Sequence, residues 1–217
     1  MRFVVTAGPT REAIDPVRFI SNRSSGKMGY AMAEAALAAG HRVKLISGPA
    51  SVAKPKDTDF VSITTSDELY QEVHRALPKC DVLVMCAAVS DYKPARVERR
   101  KMKKRTGPFA LRLIPTRDIL ASLPREGRNY FVVGFAAETH DVEKNAQKKL
   151  RKKNCDAIVA NDVSKTDSGM ESDHNAVTIF FRDARSRTIS RASKKIIARE
   201  LVKIISKMSE KSLTKKS

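Results

Sequence analysis

The chain has 217 residues, 41% of them apolar and 30% charged, as expected for one globular domain with a sizeable core. Its apolar runs fall well short of the roughly 20 residues that cross a bilayer, and its three cysteines suit a reducing compartment. We therefore predict a cytoplasmic protein without membrane contact. The formal net charge of +18 predicts an anionic partner, either nucleic acid or a small polyanion, although adaptation to a salty cytoplasm would also give it.

Strand-like and helix-like patterns alternate along the chain. Apolar runs predict strands, and alanine-rich or amphipathic stretches predict helices, the second of which has Ser66 as its predicted N-cap. The predicted strands are 2–8, 41–48, 80–88, 129–138 and 155–162, and the predicted helices are 26–40, 66–77, 141–154 and 191–208. This alternation predicts an α/β fold with a single doubly wound, mainly parallel, Rossmann-like sheet.

Two segments interrupt that alternation. Residues 89–117 carry a dense basic cluster between a strand and a helix. Residues 173–190 read as a β-hairpin, and the last predicted helix then closes the fold. We expect one domain over residues 1–208 and a basic, flexible tail over residues 209–217.

The loop after the first strand is unusually long and polar. In a doubly wound sheet, ligands bind beyond the carboxyl ends of the strands, so this loop falls at the functional edge. Its SSGKMG stretch is not a Walker A loop, because Ser21 and Met28 replace the required glycine and hydroxyl residue. A G-x-G-x-x-G fingerprint is also absent. The helix start near Gly26 is either a generic anion site or simply a well-capped helix.

Templates for nucleophilic and metal catalysis fit poorly. The histidines lack metal-ligand spacing, no C-x-x-C pair occurs, and no G-x-S-x-G elbow occurs. The clustered cations indicate a polyanion site instead. They lie on a long loop and on one helix face, and polar residues occur at the predicted strand ends nearby. The cations are Lys101, Lys103, Lys104, Arg105, Lys149 and Lys153, and the polar groups are Asn22, Asp91 and Asp118. Each cluster alone could be a solvated surface, but together they indicate a triphosphate site.

Five separated blocks then resemble one family. TAGPTREAIDPVRFISNRSSGKMG, CAAVSDYKP, KMKK, GFAAET and ANDVS occur in the order typical of the phosphopantothenoylcysteine synthetases of coenzyme A biosynthesis. The resemblance runs from residue 2 to about 208 and is to the CTP-dependent bacterial and archaeal type. That type is often fused behind a flavin-dependent decarboxylase, which is missing from this sequence, so the chain is a standalone enzyme or an excised domain.

The resemblance implies a ligase reaction in two halves. The carboxylate of 4′-phosphopantothenate attacks the α-phosphate of CTP, and the L-cysteine amine then displaces CMP from the acyl-cytidylate. Because the first nucleophile is already an anion, the enzyme mainly has to assemble and neutralise anions. The resemblance also implies Mg²⁺ as cofactor, a homodimer with the 173–190 hairpin or the 89–117 segment as contact, and the decarboxylase as pathway neighbour.

Site residues are carried over from the family by position. Asn22, Arg18 and Lys101 match catalytic positions, Asn22 handling the acyl-nucleotide and Lys101 lying on a flap. Substrate binding is assigned to Asn22, Ser24, Ser25 and Gly26, and metal binding to Asp91. Nucleotide binding is assigned to Met85, Cys86, Ala87, Asp91, Lys101, Arg117, Asp118, Ile119, Leu120, Phe135, Lys149 and Lys153. Arg117 replaces a proline common in the family.

Two other classes remain as alternatives. An NAD(P)-linked oxidoreductase would suit the alternation, but the fingerprint and a Tyr-x-x-x-Lys pair are missing. A nucleic-acid-binding module would suit the charge, but only 6% of residues are aromatic and no stacking platform is evident. We therefore expect no nucleic-acid partner. The residues do not by themselves decide between CTP and ATP.

Overall fold

A computed structural model of the protein describes residues 1–104, 106–124, 126–138, 141–162 and 173–214. Its elements, in chain order, are β1 (Arg2–Ala7), β2 (Arg11–Ala13), β3 (Phe19–Ser21), α1 (Lys27–Ala38), β4 (Arg42–Ser47), β5 (Asp59–Ser62), α2 (Ser66–Ala76), a 3₁₀ turn (Leu77–Lys79), β6 (Val82–Met85), β7 (Tyr92–Pro94), β8 (Leu113–Pro115), β9 (Phe131–Glu138), α3 (Val142–Lys152), β10 (Ala157–Asp162), β11 (His174–Phe181), β12 (Ser186–Ser193) and α4 (Lys194–Thr214).

One eight-stranded sheet forms the centre of the fold, with strand order β12-β11-β10-β9-β6-β1-β4-β5. All pairs from β5 to β10 are parallel, and β11 and β12 add an antiparallel hairpin at one edge. The chain winds outward from β1 through β4 and β5, and then in the opposite direction through β6, β9 and β10. The predicted doubly wound, mainly parallel sheet is therefore confirmed.

Helices cover both faces of the sheet. In β1, Phe3 and Val5 face one apolar cluster, which includes residues of α1 and α4, whereas Val4 faces a second, which includes residues of α2 and α3. Successive strand residues point to opposite faces, and both faces are buried, so the strand reads as a continuous apolar run. The helix α4 packs against α1 and closes the first layer.

Several boundaries differ from the sequence-based expectation. The short strands β2, β3, β5, β7 and β8 were not predicted, because three or four mixed residues carry little periodicity. The N-cap of α2 is Thr65, not Ser66: the Thr65 side chain accepts from the Glu68 N–H at 3.2 Å, and Glu68 accepts in return from the Thr65 N–H at 3.3 Å, a capping box. Ser66 instead donates its backbone N–H to buried Glu12.

The carboxyl-terminal region also departs from expectation. The predicted hairpin is confirmed, but β12 continues to Ser193, so α4 starts three residues later than expected. Helix α4 then continues to Thr214, beyond the predicted domain end at 208, and Ser209 is buried. The described part of the predicted flexible tail is therefore helical, and residues 215–217 lie outside the described residues. Among the described helices, none is both long and apolar enough to cross a membrane.

Candidate active site

A cavity of about 570 Å³ opens at the carboxyl edge of the sheet, where the winding reverses between β1 and β6. Such a switch point leaves a crevice because the chain leaves the two neighbouring strands in opposite directions. The ends of β6, β9 and β10, the first turn of α1, and parts of β11 and α4 line it. Its volume lies within the usual range for small-molecule sites.

A buried threonine fixes the floor of the cavity. Thr6 Oγ1 accepts hydrogen bonds from the backbone N–H groups of Cys86 and Ala87, both at 3.1 Å. The Thr10 side chain accepts likewise from the Ser90 N–H at 3.0 Å. Both contacts cross from the end of β1 to the segment after β6. The backbone of Met85–Ala87, predicted to contact nucleotide, is therefore held at the switch point.

Three glycines bring the first loop and helix α1 close to the sheet. Gly8 and Gly26 both have positive φ, 70° and 76°, and a Cβ on Gly26 would lie 3.3 Å from Gly8 Cα. A Cβ on Gly29 would lie 2.5 Å from Ala7 Cβ, so the helix approaches β1 as closely as it does only because this residue is glycine. These positions resemble the three glycines of a dinucleotide fingerprint, separated here by the inserted hairpin β2–β3.

The predicted substrate-binding residues line this same region. Asn22, which follows β3, donates from Nδ2 to the Ala88 carbonyl at 3.0 Å and lies in the lining with Ser24, Ser25 and Gly26. Gly26 is the N-cap of α1 and has no side chain to cap it. The N–H groups of the first turn lack carbonyl partners inside the helix, so they favour an anion at this point.

The predicted nucleotide-binding residues converge on the opposite wall. Met85, Cys86, Ala87, Asp91, Arg117, Asp118, Ile119, Leu120, Phe135, Lys149 and Lys153 all line the cavity. Lys153 on the end of α3 forms an ion pair with Asp118, whose other oxygen accepts from the Ala121 N–H at 3.1 Å. Ile119 is buried beneath them. The helix α3 thus directs its basic face into the cavity.

Arg117, at the position where the family has proline, occupies the rim. Its guanidinium lies 5.0 Å from the ring centre of Tyr70 and 3.9 Å from Asp67, and the side chain is 67% exposed. Arg117 therefore stacks outward on helix α2 while its backbone remains in the lining.

A second basic wall was missed by the sequence analysis. Lys194, at the start of α4, is only 6% exposed and lies in the lining with Lys27, Asn161 and buried Asn175. Burial, together with the charge of Lys27, lowers the pKa of Lys194. Lys27 pairs with Asp173 at 2.6 Å, and this contact lowers the pKa of Asp173. No local pattern marks Lys194, because the hairpin β11–β12 carries it to the cavity from far along the chain.

The cavity contains no activated thiol. Burial raises the pKa of Cys86 to about 12, and the same effect raises the pKa of Cys80 and of Cys155 to about 12. A thiolate nucleophile is disfavoured at all three positions. His74 lies outside the lining and contacts Ser122 at 2.9 Å, so it has no role as a base in this cavity.

Arg18 and Lys101 lie outside the lining, unlike the other predicted site residues. Arg18 is at the tip of the hairpin β2–β3 and forms an ion pair with buried Asp15. Lys101 is exposed on the basic loop, defined here as residues 99–104. Arg105, the fourth predicted cation of this cluster, lies outside the described residues. Arg18 and Lys101, the two predicted catalytic cations, therefore lie near each other, but neither lines the cavity.

The described residues offer no cluster of three or more His, Cys, Asp or Glu side chains for a metal. Asp91 does line the cavity, near Thr116, whose backbone N–H donates to the Asp91 carbonyl at 2.9 Å. One carboxylate in an open cavity fits Mg²⁺, which commonly takes one or two protein carboxylates together with substrate phosphates and waters.

Fold and site together define a doubly wound α/β protein with a lysine-lined cavity at its switch point. Residues 1–208 match the family described as DNA/pantothenate metabolism flavoprotein C-terminal domain, and the chain belongs to that family. The resemblance drawn from the five sequence blocks is thereby confirmed.

Individual relatives agree with this assignment. The chain is 46% identical over 208 residues to the coenzyme A biosynthesis bifunctional protein CoaBC of Bacillus subtilis, covering 95% of this chain and 51% of that protein. It is 43% identical over 188 residues to CoaBC of Escherichia coli K12, covering 84% and 46%. The chain thus spans about half the length of these relatives. A crystal structure of the C-terminal domain of CoaBC superposes with a TM-score of 0.83 at 40% identity, covering 97% of this chain and 96% of that one.

Proposed function

We propose that the protein is a phosphopantothenate–cysteine ligase that uses CTP, acting in coenzyme A biosynthesis. The observation that carries this proposal is the convergence of distant sequence blocks on one cavity between two basic walls. Lys149 and Lys153 form one wall, Lys27 and Lys194 the other, and Asn22 lies at the loop between strand and helix. The names of the similar bifunctional proteins support the pathway.

The first half-reaction suits this arrangement. The substrate carboxylate oxygen bonds to the α-phosphorus of CTP, and pyrophosphate leaves with the electrons of the broken P–O bond. Neither a base nor a protein nucleophile is needed, in keeping with the inert cysteines. The residues have to bring two anions together and stabilise charge on the phosphates, and the lysines and the amino end of α1 do so.

In the second half-reaction the cysteine amine attacks the acyl carbon, the acyl–phosphate C–O bond breaks, and CMP leaves as the amine loses its proton. In our proposal Asn22 acts in this step. Its Nδ2 donates to the Ala88 carbonyl, and its side-chain oxygen can accept a hydrogen bond from the reacting amine. In our proposal Asp91 and the nucleotide phosphates hold Mg²⁺, which neutralises phosphate charge when bound.

The proposal includes the partners of the reaction. A homodimer and a cytoplasmic location belong to it, and a flavin-dependent decarboxylase would act next on the product. Six large apolar side chains on the hairpin β2–β3 and the 89–117 segment are 42–58% exposed: Val17, Phe19, Tyr92, Val97, Phe109 and Leu113. Of the two contact regions expected from the sequence, this observation favours the 89–117 segment over the 173–190 hairpin.

A pyrophosphate-release assay tests the reaction. With Mg²⁺, phosphopantothenate and CTP, we expect pyrophosphate release, and adding cysteine should release CMP and give phosphopantothenoylcysteine. ATP in place of CTP tests the nucleotide preference. If instead NADH or short DNA, but not CTP, raises the melting temperature, the oxidoreductase or nucleic-acid alternative replaces this proposal.

The variant Asn22→Asp separates the two half-reactions. The aspartate keeps the size of the side chain and an oxygen acceptor, but it loses the amide donor that binds the Ala88 carbonyl and adds negative charge beside an anionic intermediate. We expect retained CTP binding and loss of amide formation, measured as acyl-cytidylate and product before and after cysteine is added. A variant that forms product at the normal rate would show that Asn22 only shapes its loop.

A further inference from the structure

The buried carboxylate of Asp15 has two oxygens with separate partners. Oδ1 accepts from the backbone N–H groups of Val17 and Arg18, both at 2.9 Å, and so forms the turn at the tip of β2–β3. Oδ2 accepts from Arg18 Nε at 3.0 Å, from Arg18 Nη2 at 2.5 Å and from the Met102 N–H at 3.2 Å. Arg18 Nη2 also donates to the Met102 carbonyl at 3.1 Å.

These contacts bind both backbone polar groups of one residue of the basic loop, Met102. The Met102 N–H binds Asp15 and the Met102 carbonyl binds Arg18, 84 residues away in sequence. Among described partners, Met102 is the only residue of 99–104 with a hydrogen bond, and its neighbours Lys101 and Lys103 are exposed. The loop is therefore attached to the hairpin at two points, since the Glu98 N–H, directly before the loop, also donates to the Ile14 carbonyl at 2.9 Å, and within the loop the attachment is the backbone at 102.

We propose that Asp15 is a positioning residue for the ligase reaction, whose Oδ2 holds the Arg18 guanidinium and the Met102 backbone together. Arg18 and the loop lysines then meet the substrate anions as one cationic unit. The inference rests on the proposed function. The contacts of Oδ2 also account for the full burial of Asp15 at the hairpin tip, because a buried carboxylate needs charge-assisted hydrogen bonds.

A second turn in the molecule shows what Oδ2 adds. In the turn between β11 and β12, Asp183 Oδ1 accepts from the Arg185 N–H at 3.2 Å, and Oδ2 accepts from Arg185 Nε at 2.9 Å and Nη2 at 2.5 Å. A similar aspartate–arginine turn forms there, with the arginine two residues on instead of three and the aspartate half-exposed, and its described hydrogen bonds do not include a backbone group from another loop. Asp183 is thus a control for losing an aspartate–arginine turn without a loop attached to it.

The test uses Asp15→Asn, because asparagine keeps Oδ1 for the turn and places an amide donor against the donors around Oδ2. Trypsin cleavage within residues 99–104, followed by mass spectrometry, reports loop attachment without any need for activity. We expect cleavage about tenfold faster than in wild type and in Asp183→Asn, the factor that one charge-assisted hydrogen bond gives. The ligase kcat, calculated from the concentration of sites that bind CTP, should fall about tenfold. The KM for CTP should stay within about twofold of the wild-type value.

Each outcome decides a separate point. Loop cleavage no faster than in Asp183→Asn would overturn the inference even if the protein is an active ligase. Faster cleavage with an unchanged kcat would reduce Asp15 to a structural role. Should wild type show no ligation, the proposed function fails while the cleavage comparison still decides the attachment. If Asp15→Asn does not fold, Arg18→Lys removes the guanidinium contacts to Asp15 and Met102 and carries the cleavage comparison, which does not depend on a direct role of Arg18 in catalysis.

Discussion

Lys194 is the residue at which stability and function oppose each other most directly. A buried ammonium costs desolvation energy, and a second cation, Lys27, lies close enough to lower its pKa further. Asp173 offsets part of this cost, and an anion in the cavity would offset more of it. We therefore expect Lys194→Met to lower CTP affinity about tenfold, the effect of losing one charge-assisted hydrogen bond, while raising the melting temperature of the ligand-free protein.

The pH dependence of stability gives a second measurement on Lys194. Its pKa in the folded state lies below the ordinary value, so between the two values the unfolded chain binds the additional proton and the free energy of unfolding rises with pH. The gain in stability of Lys194→Met should thus be largest near neutral pH and shrink as pH approaches about 10. The control is Lys195→Met, because Lys195 is exposed. Equal CTP affinities in the two variants would contradict the prediction.

Sequence reasoning at this scale brought together residues that follow parallel strands. Met85–Ala87 and Asp91 lie at or after the end of β6 and Phe135 lies in β9, and they line one cavity because the carboxyl ends of parallel strands share one edge. It failed for Lys194 and Asn175, which reach the cavity through an antiparallel hairpin whose pairing no local pattern specifies. It also left unforeseen that Arg18 would pair with Asp15 outside the lining.

At the scale of elements, Thr6 joins two strand ends. The change Thr6→Val keeps the shape of the side chain but leaves the N–H groups of Cys86 and Ala87 without their acceptor. Because Cys86 and Ala87 are only partly buried, each lost hydrogen bond should cost about 1 kcal/mol, so we expect the free energy of unfolding to fall by about 2 kcal/mol in urea titrations. CTP affinity should also weaken, since the same backbone lines the cavity.

A matched threonine provides the control. Thr178 on β11 shares a hydrogen bond with Thr188 on β12 at 3.0 Å, on the half-exposed face of the edge hairpin. Thr178→Val removes a hydroxyl without leaving buried N–H groups unpaired, and valine suits a strand, so we expect a change below about 0.5 kcal/mol. Similar losses in both variants would show that Thr6 contributes no more than an ordinary strand residue.

At the scale of the whole molecule, the alternation of elements predicted the architecture because each buried strand is a short continuous apolar run and each helix is an alanine-rich or amphipathic stretch. Strand order was harder, since it depends on which strands pair across the sheet. The small strands β2, β3, β7 and β8 were missed because they form two arms outside the central sheet, where short sequences lack a buried face. The arms contact each other through β2 and β7.

These arms carry the apolar surface that the central fold does not bury. Single exposed apolar residues are ordinary, but six large ones on two adjoining arms indicate a protein contact. We expect Phe109→Asp combined with Leu113→Asp to convert the proposed homodimer to monomer. Burial of the two carboxylates in the contact would remove their hydration, which costs free energy. Analytical ultracentrifugation measures the change, and far-UV circular dichroism should be unaltered.

The control for this last prediction is Ile196→Asp. Ile196 is 51% exposed on the first turn of α4, outside both arms, so it matches Phe109 and Leu113 in exposure but not in location. We expect Ile196→Asp to remain dimeric at the same concentration. If the double variant stays dimeric as well, the contact lies elsewhere, and the edge hairpin β11–β12 becomes the next region to test. If dissociation abolishes ligation while CTP binding persists, the dimer is needed to complete the site.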